Sequence, residues 1–250
     1  MLGEALAAGG WGLLAGSALL VGAAIGYGLR VPPLVVALVM AFGSGVLISA
    51  VSFDLIADAH EQGGLVPTTL GALGGAAVYT GANVLLARRG ARDRKRSGEQ
   101  QPSESEQPGS GNAIALGALL DGIPESVVIG TSLIGPGGVG VATVSAVCLS
   151  NVSEGLSSSA GWRRAGRDRS YVFGLWGGIA VISGVSAVLG RTVLGTMSDE
   201  ALAAGSGVAA GAILAMIADT MIPEAFEKAH LITGLVTVCG FLTAFPLAHG

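Results

Sequence analysis

Charge is scarce in this sequence. Only 12% of its 250 residues are Asp, Glu, Lys or Arg, whereas a soluble domain carries roughly a quarter. With 51% hydrophobic residues and a mean hydropathy of +0.68, that shortage excludes an ordinary soluble domain and indicates a polytopic membrane protein. Aromatic residues make up 5%, too few near the acids to build the cage of ring faces that an organic-cation site would need. There are two cysteines, Cys148 and Cys239, in separate apolar stretches. They form neither a CxxC metal frame nor a disulfide framework and read as small packing residues. The three histidines, His60, His230 and His249, fall at expected helix ends or loops. A basic leader is also missing from Met1-Leu2-Gly3-Glu4, so the first apolar stretch is expected to be a retained helix. Glycine, by contrast, is plentiful at 42 residues, as close helix packing in a bilayer requires.

A window of about 20 residues marks eight expected helices, near 11–29, 33–59, 66–87, 113–134, 138–161, 171–193, 202–226 and 231–248. The second and seventh exceed the hydrocarbon thickness and are expected to tilt or to run beyond it. The largest polar interruption, 88–112, opens with Arg88, Arg89, Arg92, Arg94, Lys95 and Arg96 and continues as a Ser/Glu/Gln/Pro/Gly tract. Its composition predicts a flexible cytoplasmic loop. The basic run reads as a topology signal rather than a nucleic-acid patch, so no nucleic-acid partner is expected. Setting that loop in the cytoplasm puts twelve of the thirteen Lys and Arg residues on one side, leaving Arg191 outside. Eight helices with both termini outside produce this split.

The second and seventh spans resemble each other without a gap: Gly45 through Glu61 aligns with Gly211 through Glu227, pairing Asp58 with Glu224 and Glu61 with Glu227. The spans before them echo at Gly12, Leu13 and Gly16 against Gly174, Leu175 and Gly178. If helices 1–3 recur as 6–8, five helices separate corresponding points, and the second copy enters from the opposite side. The expected fold class is therefore an all-α membrane protein, a single domain over 1–250 in a 3+2+3 inverted-repeat arrangement, with its site near the midplane.

The central pair carries the acids. Asp121 and Glu125 stand one helical turn apart in Asp121-Gly122-Ile123-Pro124-Glu125, and Ser150 and Glu154 share that spacing in Ser150-Asn151-Val152-Ser153-Glu154. Residues at i and i+4 share a helix face. Buried carboxylates in hydrocarbon cost at least a few kcal/mol each, so several on shared faces point to a polar site that a cation enters and leaves. Pro124 removes a backbone N–H and frees the carbonyl of Leu120 as a further oxygen ligand. Asp54 and Asp219 lie deep in their spans. Asp58 and Glu224 lie nearer the ends, and His60 with Glu61 forms a candidate outer collecting site. An oxygen-rich set of this kind suits hard divalent cations.

These motifs resemble the ZIP (Zrt/Irt-like) family of divalent-metal transporters over essentially the whole chain. The helix 4 and 5 frames are similar to that family's His-Asn-x-Pro-Glu-Gly element. Leu55-Ile56-Ala57-Asp58-Ala59 and Met221-Ile222-Pro223-Glu224-Ala225 are similar to its x-Leu-Pro-Glu-Ala element. The resemblance implies eight helices, outside termini and a variable cytoplasmic loop. It implies Glu125 and Glu154 as metal-bridging glutamates and Asn151 as a polar ligand. Asp121, Ser150 and Asp54 occupy positions where the family carries histidine, or at 150 histidine or glutamine, which shifts preference from zinc toward harder cations.

The implied activity is uptake of divalent metal (zinc, iron or manganese class, with cadmium open) toward the cytoplasm across a plasma or inner membrane. The metal would be the substrate, and no prosthetic group is expected. The lipid bilayer is the other partner, and a homodimer is one open arrangement. A proton-coupled exporter of organic cations is the first alternative. An intramembrane hydrolase is the second, but no Gly-x-Gly-Asp frame, nucleophile–histidine pair or metal-binding His motif supports an enzyme.

Overall fold

The computed structural model describes residues 2–134 and 140–248. Among them, all regular structure is helical and falls into eight runs: α1 (Leu2–Gly28), α2 (Pro33–Gly63), α3 (Leu65–Ala91), α4 (Ser110–Thr131), α5 (Val141–Arg164), α6 (Arg169–Leu194), α7 (199–229) and α8 (Thr233–Ala248). Local chemistry sets the ends. Pro33 opens α2 where a helix needs no N–H, and Gly64, at φ 86°, closes it. The Asp168 carboxylate caps α6 by accepting from the Tyr171 N–H at 2.7 Å. His230, at φ 45°, separates α7 from α8.

The first helix departs most from expectation, beginning at Leu2 rather than near 11. Its early turns are lined by small residues that pack on α6: a Cβ at Gly12 would meet Ala187 Cβ at 2.6 Å. Glu4 is met by Arg191 at 3.1 Å.

Among the described residues, six helical stretches are long and apolar enough to cross a bilayer, the build of a multi-pass membrane protein: 2–28, 33–63, 65–91, 110–131, 169–194 and 199–246, the last running through α7 and α8. α5 is not among them, because Ser150, Asn151, Ser153, Glu154 and Ser157–Ser159 load its length with polar groups. Those side chains are buried, and α5 packs on α1 and α2. A helix lined by protein can carry residues that lipid would reject. Large apolar side chains are instead exposed on outer faces, among them Leu70, Leu73 and Val78 of α3 and Leu235 and Leu242 of α8. Such a surface is a liability in water and matches hydrocarbon.

Two helix pairs are built alike. On α2, a Cβ at Gly45 would lie 1.9 Å from the Thr237 carbonyl of α8, and one at Gly240 would lie 2.1 Å from the Phe42 carbonyl in return. On α7, Gly211 stands 1.9 Å by the same measure from the Ala72 carbonyl of α3, and Gly75 stands 2.0 Å from that of Val208. Only glycine permits such backbone contact. Both long helices also widen into a π turn, Val51–Ile56 in α2 and Ile217–Met221 in α7. The gap-free alignment of Gly45 with Gly211 carries one π turn onto the other.

Candidate functional site

α4 and α5 bring Asp121, Glu125 and Glu154 into the bundle, where they are 2%, 1% and 3% exposed. α4 runs unbroken through Pro124, and the Ser126 hydroxyl donates to the Gly122 carbonyl at 2.6 Å. Asp121 is fully engaged. Arg94 grips it from two directions, Nε donating to Oδ2 at 2.9 Å and Nη2 to Oδ1 at 2.8 Å. The Tyr79 hydroxyl of α3 donates to Oδ1 at 2.7 Å. That hydroxyl in turn accepts from Arg94 Nη2 at 2.9 Å, while Arg94 Nη1 reaches Asn83 Oδ1 at 2.7 Å. A bidentate guanidinium–carboxylate pair of this kind is shorter and stronger than a neutral hydrogen bond.

Lys95 occupies the space between the two helices. Its Nζ pairs with Glu154 Oε1 at 2.7 Å and with Asp121 Oδ2 at 3.4 Å. Arg94 and Lys95 are only 2% and 4% exposed. Glu125 Oε1 and Ser150 Oγ are buried with no hydrogen-bond partner among the described residues.

Both cations come from the segment whose composition predicts a flexible loop, and in the structure that segment is docked on the bundle rather than extended away from it. Residues 92–101 dock into the end of the bundle. Arg96 Nη1 donates to the Pro223 carbonyl at 2.7 Å and to Glu227 at 3.0 Å. Ser97 donates to Glu224 through its N–H at 2.9 Å and its hydroxyl at 2.5 Å. Ser157 of α5 donates to the Lys95 carbonyl at 2.6 Å. Further along, Glu104 binds Arg167 at 2.7 Å and accepts from the N–H groups of Gly109 and Gly111. Its carboxyl is drawn down to about 2 by the Arg167 hydrogen bond and those backbone donors. Low apolar content ruled out burial by hydrophobic drive, but this segment is held by charge and hydrogen bonds.

The remaining expected residues scatter. Asn151 turns to α1, its Nδ2 donating to the Ala15 carbonyl at 2.8 Å. Asp54 accepts from Thr143 at 2.8 Å and, with Asp58, lines a separate cavity of about 60 Å³ that also touches Thr131, Ser132 and Ser206. His60 and Glu61 are exposed. Asp219 lines a cavity beside Arg92 and Arg96 at the loop-bearing end. Glu224 is buried and serves as the anchor for Ser97. Among the described residues, no group of three or more His, Cys, Asp or Glu side chains gathers closely enough to hold a metal ion. The expected ligand set is thus brought to the same region but spaced around two side-chain cations.

Arg94, Lys95, Tyr79 and Asn83 were not expected at the site. One signal for the last two exists in the sequence: Tyr79 and Asn83 are polar, one turn apart, in an otherwise apolar span that leads into the basic run. A search of protein-family models and a search of curated proteins each find no match to this chain.

Proposed function

We propose that the chain is a carrier of divalent metal cations of the ZIP type, not an enzyme, with Asp121, Glu125 and Glu154 as the acids that bind the ion. The observation that carries this reading is the source of the counter-charge. Three carboxylates are buried on facing helices, and the cations that neutralise two of them sit on a connecting segment rather than on the helices themselves. A purely structural ion pair needs no movable partner. A transport site does, because its acids must be satisfied when the ion has left.

The wider arrangement in this reading is eight spans, outside termini and a 3+2+3 inverted repeat. The reciprocal glycine contacts of α2 with α8 and of α7 with α3, and the matched π turns, support the repeat. The segment 92–109 would then be cytoplasmic, and the cavity at Asp54 and Asp58 would lie toward the outer side. Alternating access would rock one bundle on the other around the central acids. Uptake toward the cytoplasm follows the family resemblance. An all-oxygen donor set favours manganese or iron(II) over zinc.

Reconstitution in liposomes tests the reading directly. Wild-type protein should admit Mn²⁺, Fe²⁺, Zn²⁺ or Cd²⁺, and Glu125→Ala and Glu154→Ala should each abolish the flux while remaining folded. Full uptake by both variants would falsify the assignment.

A further inference from the structure

We propose that Arg94 and Lys95 act as the site's tethered counter-cation: a +2 pair that stands in for the divalent ion, so that metal and the 92–101 segment compete for the same acids. The idea rests on the transport reading above and adds a mechanism to it. The charge arithmetic is direct. One guanidinium and one ammonium supply the two positive charges of one divalent cation, and they contact two of the three acids assigned to it. Both cannot be satisfied at once, because Lys95 lies between Asp121 and Glu154 within 3.4 Å of each.

The bundle is shaped to receive this segment. A Cβ at Gly117 of α4 would come within 2.5 Å of Arg94 Cδ, and one at Gly161 of α5 within 2.0 Å of the Arg96 carbonyl. Glycine at those two positions opens the groove. Gln101 then ties the backbone into a tight turn, donating to the Arg94 carbonyl at 3.2 Å and to that of Arg96 at 2.5 Å. Both ends of the segment carry glycines in the left-handed region, Gly90 at φ 99° and Gly109 at φ 84°. Those turns let the chain leave α3 and rejoin α4 while the intervening residues fold back into the site. Arg96 and Ser97, on Glu224 and Glu227, hold the segment in register without touching the central acids.

Metal binding would therefore expel the segment, and its return would discharge the ion without leaving buried acids unpaired. The apparent affinity for metal is lowered by the fraction of molecules in which the segment is docked.

The test uses the 250-residue chain in lipid nanodiscs, with Mn²⁺, Fe²⁺, Zn²⁺ and Cd²⁺ as probes. Trypsin cleavage after Arg94, Lys95 and Arg96, mapped by mass spectrometry, tracks the open population. It should rise roughly tenfold at saturating metal, a resolvable population shift, while cleavage after the exposed Arg169, outside the segment, stays constant. R94Q/K95Q should bind metal at least about tenfold more tightly, by removal of the competitor. Gly161→Leu, which displaces the segment without changing a charge, should tighten binding in the same direction and keeps the test open if the double variant misfolds. Wild-type metal binding with unchanged cleavage and unchanged affinity in Gly161→Leu would overturn the counter-cation and leave the carrier standing. Failure of wild type and both variants to bind any of Mn²⁺, Fe²⁺, Zn²⁺ or Cd²⁺ would overturn the carrier reading and this proposal with it.

Discussion

At the scale of single residues, the Arg94–Asp121 pair is asymmetric in a way that can be measured. Asp121 is held on α4, while Arg94 sits on the segment connecting α3 to α4, which in the counter-cation proposal swings to water. Arg94→Gln strands a buried acid and should lower stability by about 3 kcal/mol, the lower edge for a broken buried pair. Asp121→Asn should cost less, because its partner can leave, and should speed trypsin cleavage at 94–96. Equal thermal shifts for the two variants would mean that the segment does not move. Glu104 offers a pH prediction. Its carboxyl, held at about 2 by Arg167 and two backbone donors, is lowered on folding, so its contribution is present above the ordinary glutamate value of about 4.3. That contribution is lost as pH falls toward about 2. Amide-exchange protection at Gly109 and Gly111 should follow that window in the wild type and be absent at all pH values in Glu104→Gln.

Elements pack here by backbone contact, and that makes certain glycines irreplaceable. Gly45→Leu and Gly211→Leu each force a side chain into a carbonyl 1.9 Å from the new Cβ, so both should sharply reduce the yield of folded protein, and by similar amounts. Gly174→Ala has nothing within 4 Å and should change thermal stability by no more than about 0.5 kcal/mol. A large difference between the first two would argue against a repeated build. Removing the cap of α6 in Asp168→Ala should cost about 1 kcal/mol, read as a lower unfolding temperature. The periodic acids at 121, 125 and 154 were legible at this scale because i and i+4 share a face in any helix. Asn151 was not, since α5 has neighbours on several sides. Spacing tells which residues point together, and only the neighbours tell what they point at.

For the whole molecule, the arrangement proposed has both termini on one side and 92–109 on the other. Single cysteines introduced at Ser105 and Ser198 in a Cys148→Ser, Cys239→Ser background should label from opposite faces of oriented vesicles. Labelling from the same face would require an even number of crossings between them in place of the three helices α4, α5 and α6. The overall helical plan could be read from hydropathy, although α5 escapes an apolarity criterion because it is enclosed by protein. The docking of the basic run could not. Arg94 finds Asp121 27 residues away, and Ser97 finds Glu224 127 residues away. Composition reports on hydrophobic burial and is silent on such pairs.

The sequence by itself determined the helices, their apolar lengths, and the turn-by-turn spacing that sets Asp121 against Glu125 and Ser150 against Glu154. Those are local properties, dictated by 3.6 residues per turn and by the solvent each face must meet. Only the tertiary structure decided what satisfies the buried acids, which turned out to be a guanidinium and an ammonium from the chain's most polar stretch. Charge pairing acts through space, and the sequence carries no distance between a residue and a partner on another element.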